Sequence, residues 1–412
     1  MSVPKLRFKE FDGDWNKNTI GNFVLNYKGG ASLTPADFVE YSDCEVIPKK
    51  AISSGGLLQL DKVVPTFCTL EFFNSNQNYI VDSEYLITTL RDLVPSGPSI
   101  GYIVKYESNK KYILAQGVYG FRIKNDLNRD FLIQFSNTSK FRLHMQSIMV
   151  GSTQVHIRNQ DYFSTELYTP SLIEQTKIAS FLSAVDEKIS QLTQKHELLS
   201  QYKQGMMQKL FSQQIRFKAD DGSEFGEWEE VALSKVSDVR DGTHDSPSYV
   251  KDGYPLITSK NLKNGKLDLT DINLISEDDY LNINKRSAVN IGDIIFGMIG
   301  TIGNPVLLNS DGFAIKNVAL IKEKDELLNI YLIHYLNSSF FAKQVALLNA
   351  GNTQKFLALG QIRSLSIHKP QLAEQTKIAN FLSSIDQKIE VVAQQIEQAK
   401  QWKKGLLQQM FV

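Results

Sequence analysis

Side chains able to contact a polyanion or the edges of its bases gather in short polar segments of this 412-residue chain, several of them built around glycine. In the second half they are Arg240-Asp-Gly-Thr243-His244, Thr258-Ser259-Lys260-Asn261-Leu-Lys263, Asn284-Lys285-Arg286, Gly300-Thr301-Ile-Gly303 and Gly351-Asn352-Thr353-Gln354-Lys355. In the first half they are less compact: Lys49-Lys50, Arg91, Lys110-Lys111, Lys140 with Arg142 and His144, and Thr153-Gln154-Val-His156-Ile-Arg158. Arginine and lysine donate to guanine edges and phosphates, and asparagine and glutamine can read adenine. Any one of these residues is more often a solvated surface charge. Their clustering in loops is what points to nucleic-acid contact.

Patterns for catalysis are missing. The sequence has no Gly-x-x-x-x-Gly-Lys-Ser/Thr phosphate loop, which argues against ATP-driven translocation by this chain. An enzyme modifying adenine would need a nucleotide-cofactor loop and an active-site tetrapeptide with paired prolines and an aromatic. The chain holds no Pro-Pro pair, and Asn304-Pro-Val306 is a failed near match. No histidines, cysteines and carboxylates are spaced as metal ligands. Asp220-Asp221 and Asp278-Asp279 read as turn residues. No catalytic and no metal-binding residue is assigned, and any chemistry is expected to belong to a partner.

The elements that would position the loops are written twice. Pro170-Ser-Leu-Ile-Glu-Gln-Thr-Lys-Ile-Ala-Ser-Phe-Leu-Ser-Ala-Val-Asp-Glu-Lys-Ile189 returns as Pro370-Gln-Leu-Ala-Glu-Gln-Thr-Lys-Ile-Ala-Asn-Phe-Leu-Ser-Ser-Ile-Asp-Gln-Lys-Ile389, and the match runs ungapped to Phe211 and Phe411. A repeat this long and this widely separated is not a solenoid, whose units recur every ~20–50 residues. It reads as a duplicated unit, a variable globular module followed by a long helix, so that one chain mimics a symmetric dimer.

Leu182, Val185, Ile189, Leu192, Leu199, Met206 and Leu210 follow alternating three-four spacing, the mark of a helix with one narrow apolar seam. His196 and Lys203 also fall on it, His196 as a register-setting polar residue. The second seam is Leu382, Ile385, Ile389, Val392, Ile396, Ala399, Leu406 and Met410, with Lys403 matching Lys203. Ser171 followed by Glu174 predicts a capping box at the first helix start. Gln371 stands at the equivalent place, so the second cap must come from elsewhere. Neither helix can hide its seam alone, and a two-fold relation between the copies predicts an antiparallel pair.

Each module opens on a related phrase, Leu6-Arg-Phe-Lys9 with Trp15 and Ile215-Arg-Phe-Lys218 with Trp228. Tyr112–Leu114, Val118–Ile123, Phe313–Ile315 and Val318–Ile321 read as strands beside turn residues. Segments 130–143 and 328–347 read as short helices. The fold class is therefore α+β. The module ends agree, Phe131-Leu-Ile-Gln-Phe-Ser-Asn137 with Tyr331-Leu-Ile-His-Tyr-Leu-Asn337, whereas the first two-thirds differ strongly. Two readers of different targets on one framework would look like this, and so would drift after duplication.

Composition sets the bounds. Hydrophobic content of 42% and charged content of 22% describe a globular chain with real cores. The 45 basic and 45 acidic side chains cancel, so DNA binding would need a local basic face rather than a basic total. Cys44 and Cys68 form no close-spaced motif, and a reducing cytoplasm is expected. The N-terminus lacks the apolar run of a signal peptide, and Ile294 to Leu308, the best membrane-span candidate, is broken by glycines and a proline.

The recurring Pro-x-Leu-x-Glu-Gln-x-x-Ile-Ala-x-Phe-Leu-x-x-x-Asp-x-x-Ile at 170 and 370, and the opening Pro4-Lys-Leu-Arg-Phe-Lys with Trp15, resemble the specificity subunit of type I DNA restriction–modification systems. The stretch from Asp241-Gly-Thr-His through Leu256-Ile-Thr-Ser-Lys-Asn-Leu262 and Gly292-Asp-Ile-Ile-Phe296 to Ile299-Gly-Thr-Ile-Gly-Asn-Pro305 is similar to one recurring class of target-recognition domain. The resemblance implies target-recognition domains at 1–169 and 213–369, in pseudo-two-fold arrangement, and conserved long helices at 170–212 and 370–412 that form an antiparallel coiled coil. It implies that the chain reads a split, asymmetric double-stranded DNA site and docks two modification and two restriction subunits, without membrane. No cofactor is expected in this chain; S-adenosylmethionine, ATP and magnesium are implied for the partners, which methylate adenine and cleave. The main alternative is a stand-alone DNA-binding regulator that reads a split operator; a coiled-coil scaffold without a DNA role is a second.

Overall fold

The structure, a computed structural model, describes residues 3–300, 302–348 and 356–412. It divides into two compact units, Met1–Thr193 with Ala393–Val412, and Gln194–Val392. Both long helices are shared between the units. Leu172–Phe211 begins in the first and ends in the second, and Leu372–Met410 begins in the second and ends in the first, so the pair runs antiparallel.

In the first unit, strands Val24–Gly29, Val118–Ile123, Leu86–Thr89 and Ile103–Val104 form an antiparallel sheet in that order. A smaller sheet sets Tyr112–Leu114 between Val46–Ile47, parallel to it, and Ile80–Val81, antiparallel. The second unit repeats the plan. Asp238–Asp241, Val318–Lys322, Ile294–Gly297 and Gly303–Leu307 form the antiparallel sheet, and Ala314–Ile315 lies parallel to Tyr254–Ile257 in the other. In each unit the strand just before the long helix pairs with one near the unit's start, Glu166–Thr169 with Asn16–Thr19 and Ser366–Lys369 with Glu229–Ala232. The mixed α+β class and the strands expected from sequence are present.

The expected short helices need correction, because each is two. Arg129–Ser136 is followed by Ser139–Ile148, and Asn329–Leu336 by Ser339–Leu348. The break has a local cause. The Thr138 hydroxyl accepts the Phe141 N–H at 3.2 Å and the Ser338 hydroxyl accepts the Phe341 N–H at 3.3 Å, so each starts a new helix.

The start of each long helix is fixed by the repeated Glu-Gln. The Ser171 hydroxyl accepts the Glu174 N–H at 3.3 Å, as a cap should. The Glu174 carboxylate, however, does not close a capping box. It accepts two hydrogen bonds of 2.7 Å from Arg7. In the second copy Glu374 accepts from Arg216 at 3.0 and 2.7 Å and from the Trp228 indole at 2.9 Å. The next residue does the same work twice. Gln175 accepts the Asn128 N–H and donates to the carbonyls of Asp126 and Pro170, and Gln375 accepts the Leu328 N–H and donates to Glu326 and Pro370. All four side chains are buried and each is hydrogen-bonded, so the phrase is a polar clamp between helix and module.

Leu182, Val185 and Leu192, and Leu382, Ile385, Val392 and Ile396, are buried as a seam requires; Ile189, Leu199 and Ile389 are half-buried. Near each helix start the stripe widens to Ile178-Ala179 and Ile378-Ala379, which join the core of the module. Within the first unit the helix end Leu406, Leu407, Met410 and Phe411 enters the same core as Trp15, Phe131 and Phe135. Within the second, Met207, Leu210 and Phe211 enter that of Tyr331 and Tyr335.

Candidate nucleic-acid interface

The loops of the second unit are held by carboxylates. Arg240, on the strand beside the first glycine loop, donates to Asp238 at 2.9 and 2.6 Å and to the Arg286 carbonyl at 3.0 Å. Arg286 pairs with Asp241. His244 presents Nε2 to Asp241 at 2.9 Å and Nδ1 to the Asn317 side chain at 2.8 Å, and these contacts, that to Asn317 foremost, raise its pKa above the ordinary imidazole value. The Thr243 hydroxyl accepts the Asp245 N–H at 3.1 Å. Lys260 pairs with Asp271 at 3.2 Å and Lys263 with Asp268 at 2.6 Å, and Lys285 donates to Asn282 at 2.8 Å. Arg240, Arg286, Lys260 and Lys263 are thus each compensated by a carboxylate.

Two residues of the set hold the loop together. Asn261 is 2% exposed; its carbonyl oxygen accepts from the Thr258 N–H and hydroxyl, and its amide donates to the carbonyls of Asp268 and Asp271. Ser259 is buried and donates to the Asn317 carbonyl. Asn261 has no group left for a base edge, and Ser259 has already committed its hydroxyl proton. Thr301, Asn352, Thr353, Gln354 and Lys355 lie outside the described residues.

In the first unit Arg142 needs the same correction. Its guanidinium donates to the carbonyls of Ile100 at 2.5 Å and Pro98 at 3.1 Å, lies 3.8 Å from the Tyr102 ring centre, and has its pKa lowered by burial. Lys110 pairs with Glu45 at 2.7 Å. Lys111, Thr153, Gln154, His156 and Arg158 are exposed.

Four segments distant in sequence converge in this unit. Lys49, Arg91, Gln116, Gln154 and His156, with Asp92, line a cleft of about 480 Å³. Strand Arg91–Asp92 pairs with Val155–His156, setting Arg91 opposite His156. Gln154 sits on the turn leading into that strand, closed by Gly151 at φ +114°, where a Cβ would lie 2.1 Å from the Gln154 carbonyl oxygen. Gln116 was not singled out from sequence; its only signal is the Gly117 beside it.

A wider cleft, about 1030 Å³ in the second unit, lies between the long helices and the module. There Lys203 grips Asp386 at 2.6 and 2.7 Å beside buried His334, whose Nε2 is 3.0 Å from the Ser383 hydroxyl. These are not a nucleophile, base and orienting acid. His334 Nδ1 is 3.8 Å from Asp386, beyond a hydrogen bond, and burial, reinforced by Lys203, lowers the imidazole pKa, leaving it a poor base. Among the described residues no group of three or more metal-ligating side chains is arranged to hold an ion, and no helix is long and apolar enough to cross a membrane.

The chain matches the family model "Type I restriction modification DNA specificity domain" twice, over residues 13–201 and 226–401, and belongs to that family. It is 26% identical to the type I restriction enzyme MjaVIII specificity subunit of Methanocaldococcus jannaschii, covering 97% of this chain and 94% of that one. Its fold resembles the crystal structure of a type I restriction-modification system S subunit from M. genitalium, with a TM-score of 0.62 at 16% identity over 100% and 99% of the two chains. A second solved chain, from work on the complex assembly and conformational transition of the type I R-M system, matches at a TM-score of 0.54 and 14% identity over 95% and 96%. The chain is accordingly a DNA-recognition protein of the specificity-subunit type.

Proposed function

We propose that this family member reads a bipartite, asymmetric double-stranded DNA site, one half with each unit, and docks two modification and two restriction subunits that do the chemistry. The observation that carries the reading is the double family match, one in each unit. One framework occurs twice in one chain with different loop chemistry, as two linked half-site readers require. Linking two modest interfaces raises effective concentration, so the pair can bind well where each alone binds weakly.

The partners would bind S-adenosylmethionine and methylate an adenine flipped from the duplex, and the restriction subunits would use ATP and magnesium. This chain would choose the site and catalyse nothing, working in the cytoplasm where the DNA is. The long helices would serve as spacer and docking surface, since a fixed element between two readers sets half-site separation. Exchanging the globular module of the second unit for that of a relative tests the modularity: one half-site should change and the other persist. A change in both would break it.

A further inference from the structure

Three properties meet in the cleft of Lys49, Arg91, Gln116, Gln154 and His156. Its cations have no carboxylate partner: neither Arg91 nor Lys49 has an ion pair among the described residues, in contrast to Arg240, Arg286, Lys260 and Lys263. The one acid in the cleft is already engaged. Asp92 accepts from the Ser99 hydroxyl at 2.7 Å and N–H at 3.3 Å and from the Val94 N–H at 3.1 Å, so it shapes its own loop.

The Arg91 stem is also pre-positioned. It lies across Gly117, where a Cβ would approach the Arg91 Cβ, Cδ and Cγ at 3.0, 3.3 and 3.5 Å, and φ is +85°. Its backbone is held between Thr89, whose hydroxyl donates to the Arg91 carbonyl at 2.9 Å, and the strand bearing His156. A guanidinium held this way loses less freedom on contact than one on a free loop. Gln116 and Gln154 add amide donors and acceptors beside it.

The third property comes from comparing the units. The Ile157 N–H donates to the Leu90 carbonyl, and in the second unit the Leu357 N–H donates to the Met298 carbonyl. The residues before and after these, Arg91 with His156 and Ile299 with Phe356, therefore occupy the same place on the same backbone. Duplex phosphates are alike in both halves of any site, so a phosphate anchor would have reason to stay charged in both units. A position that is cationic and polar in one and apolar in the other behaves as a reader of sequence. Apolar side chains at such a place suit the thymine methyl group.

We propose that this cleft is the base-reading pocket of the first unit and that Arg91 selects a guanine in its half-site, through the guanine O6 and N7 in the major groove. This rests on the bipartite reading given above and names the residue that makes one half-site differ from the other. Lysine keeps the charge but lacks the rigid planar fork that places two parallel N–H donors on O6 and N7.

The test uses the full chain assembled with its modification subunit, comparing wild type, Arg91→Lys and Arg91→Ala by methylation mapping and by competition with duplexes altered one base pair at a time. Both variants should lose discrimination at one G·C pair, roughly 5- to 150-fold, with the other half-site and the spacer unchanged and the salt dependence of binding unaltered in Arg91→Lys. An unchanged site in both variants would overturn the proposal. So would wild-type specificity in Arg91→Lys with uniformly weaker binding in Arg91→Ala, the signature of a phosphate anchor. If the wild-type complex itself has no two-part site, the underlying reading fails and not merely the role of Arg91. Equal melting temperatures for the three proteins exclude misfolding at this exposed position.

Discussion

Lys403 reaches Asp186 at 2.5 Å, tying the end of the second long helix to the beginning of the first within one unit. Lys203 and Asp386 repeat the bond in the other unit, each at the position 200 residues away in the other copy of the helix. Lys403 is 9% exposed and sits in the apolar seam, where an ammonium without its partner would be costly. Gln134 donates to the second Asp186 oxygen at 2.8 Å, so the carboxylate is held from both sides. Lys403→Met should destabilise the protein by about 1–3 kcal/mol in urea denaturation, less than a fully buried pair because Asp186 is partly solvated. Adding Asp186→Leu should recover most of the loss. A single-variant cost below about 0.3 kcal/mol would show that the pair does not hold the helices.

Arg7→Met should cost more. It leaves the Glu174 carboxylate, 2% exposed, without its Arg7 partner at the start of the helix. Loss of one member of a buried pair costs about 3–5 kcal/mol. Glu174→Gln in the same chain should restore a large part of it, and Arg216→Met with Glu374→Gln should behave likewise in the second unit. Equal stability of Arg7→Met and wild type in denaturant would contradict the clamp.

A pH experiment separates the units. His334 is buried and its pKa is lowered, first by that burial and then by Lys203, so the native state favours the neutral ring. Below about pH 6.5 the unfolded chain takes up a proton that the native state resists, and stability falls as pH falls. The first unit carries Gln134 at the equivalent place and lacks this dependence. His334→Gln should therefore lose about 1–2 kcal/mol less than wild type between pH 7 and pH 5. Identical slopes in the two proteins would refute the assignment.

The long helices were legible because a seam is a periodic signal carried by neighbouring residues. Leu182, Val185 and Leu192 needed no knowledge of the rest of the chain. Ser171 was legible as a cap for the same reason, whereas the partner of Glu174 was not: Arg7 is 167 residues away. The break at Thr138 was written in the sequence as a cap residue, but an apolar run on both sides masked it. The loops were hardest. Arg240, Arg286 and Lys263 look like free cations in a linear reading, and only strand register and loop closure bring Asp238, Asp241 and Asp268 to them. Asn261 looked like an adenine reader and proved to be a buried loop staple. Conversely, Lys49, Arg91, Gln154 and His156 were scattered in the sequence and share a cleft because two sheets and a short strand pair converge there.

If the long helices set the half-site separation, their length should appear in the DNA. Insertion of four residues, about one turn, in each helix between seam repeats adds roughly 6 Å at ~1.5 Å per residue, or about two base pairs at ~3.4 Å each. The preferred spacer should lengthen by that amount with both half-sites retained. An unchanged spacer would refute the ruler.

The most direct test of the central claim is a genome-wide map of methylated adenine in cells expressing this chain with its modification subunit, against cells lacking only this chain. The account predicts a new two-part asymmetric motif, methylated once on each strand and absent from the control. No chain-dependent methylation from an assembled complex would contradict it.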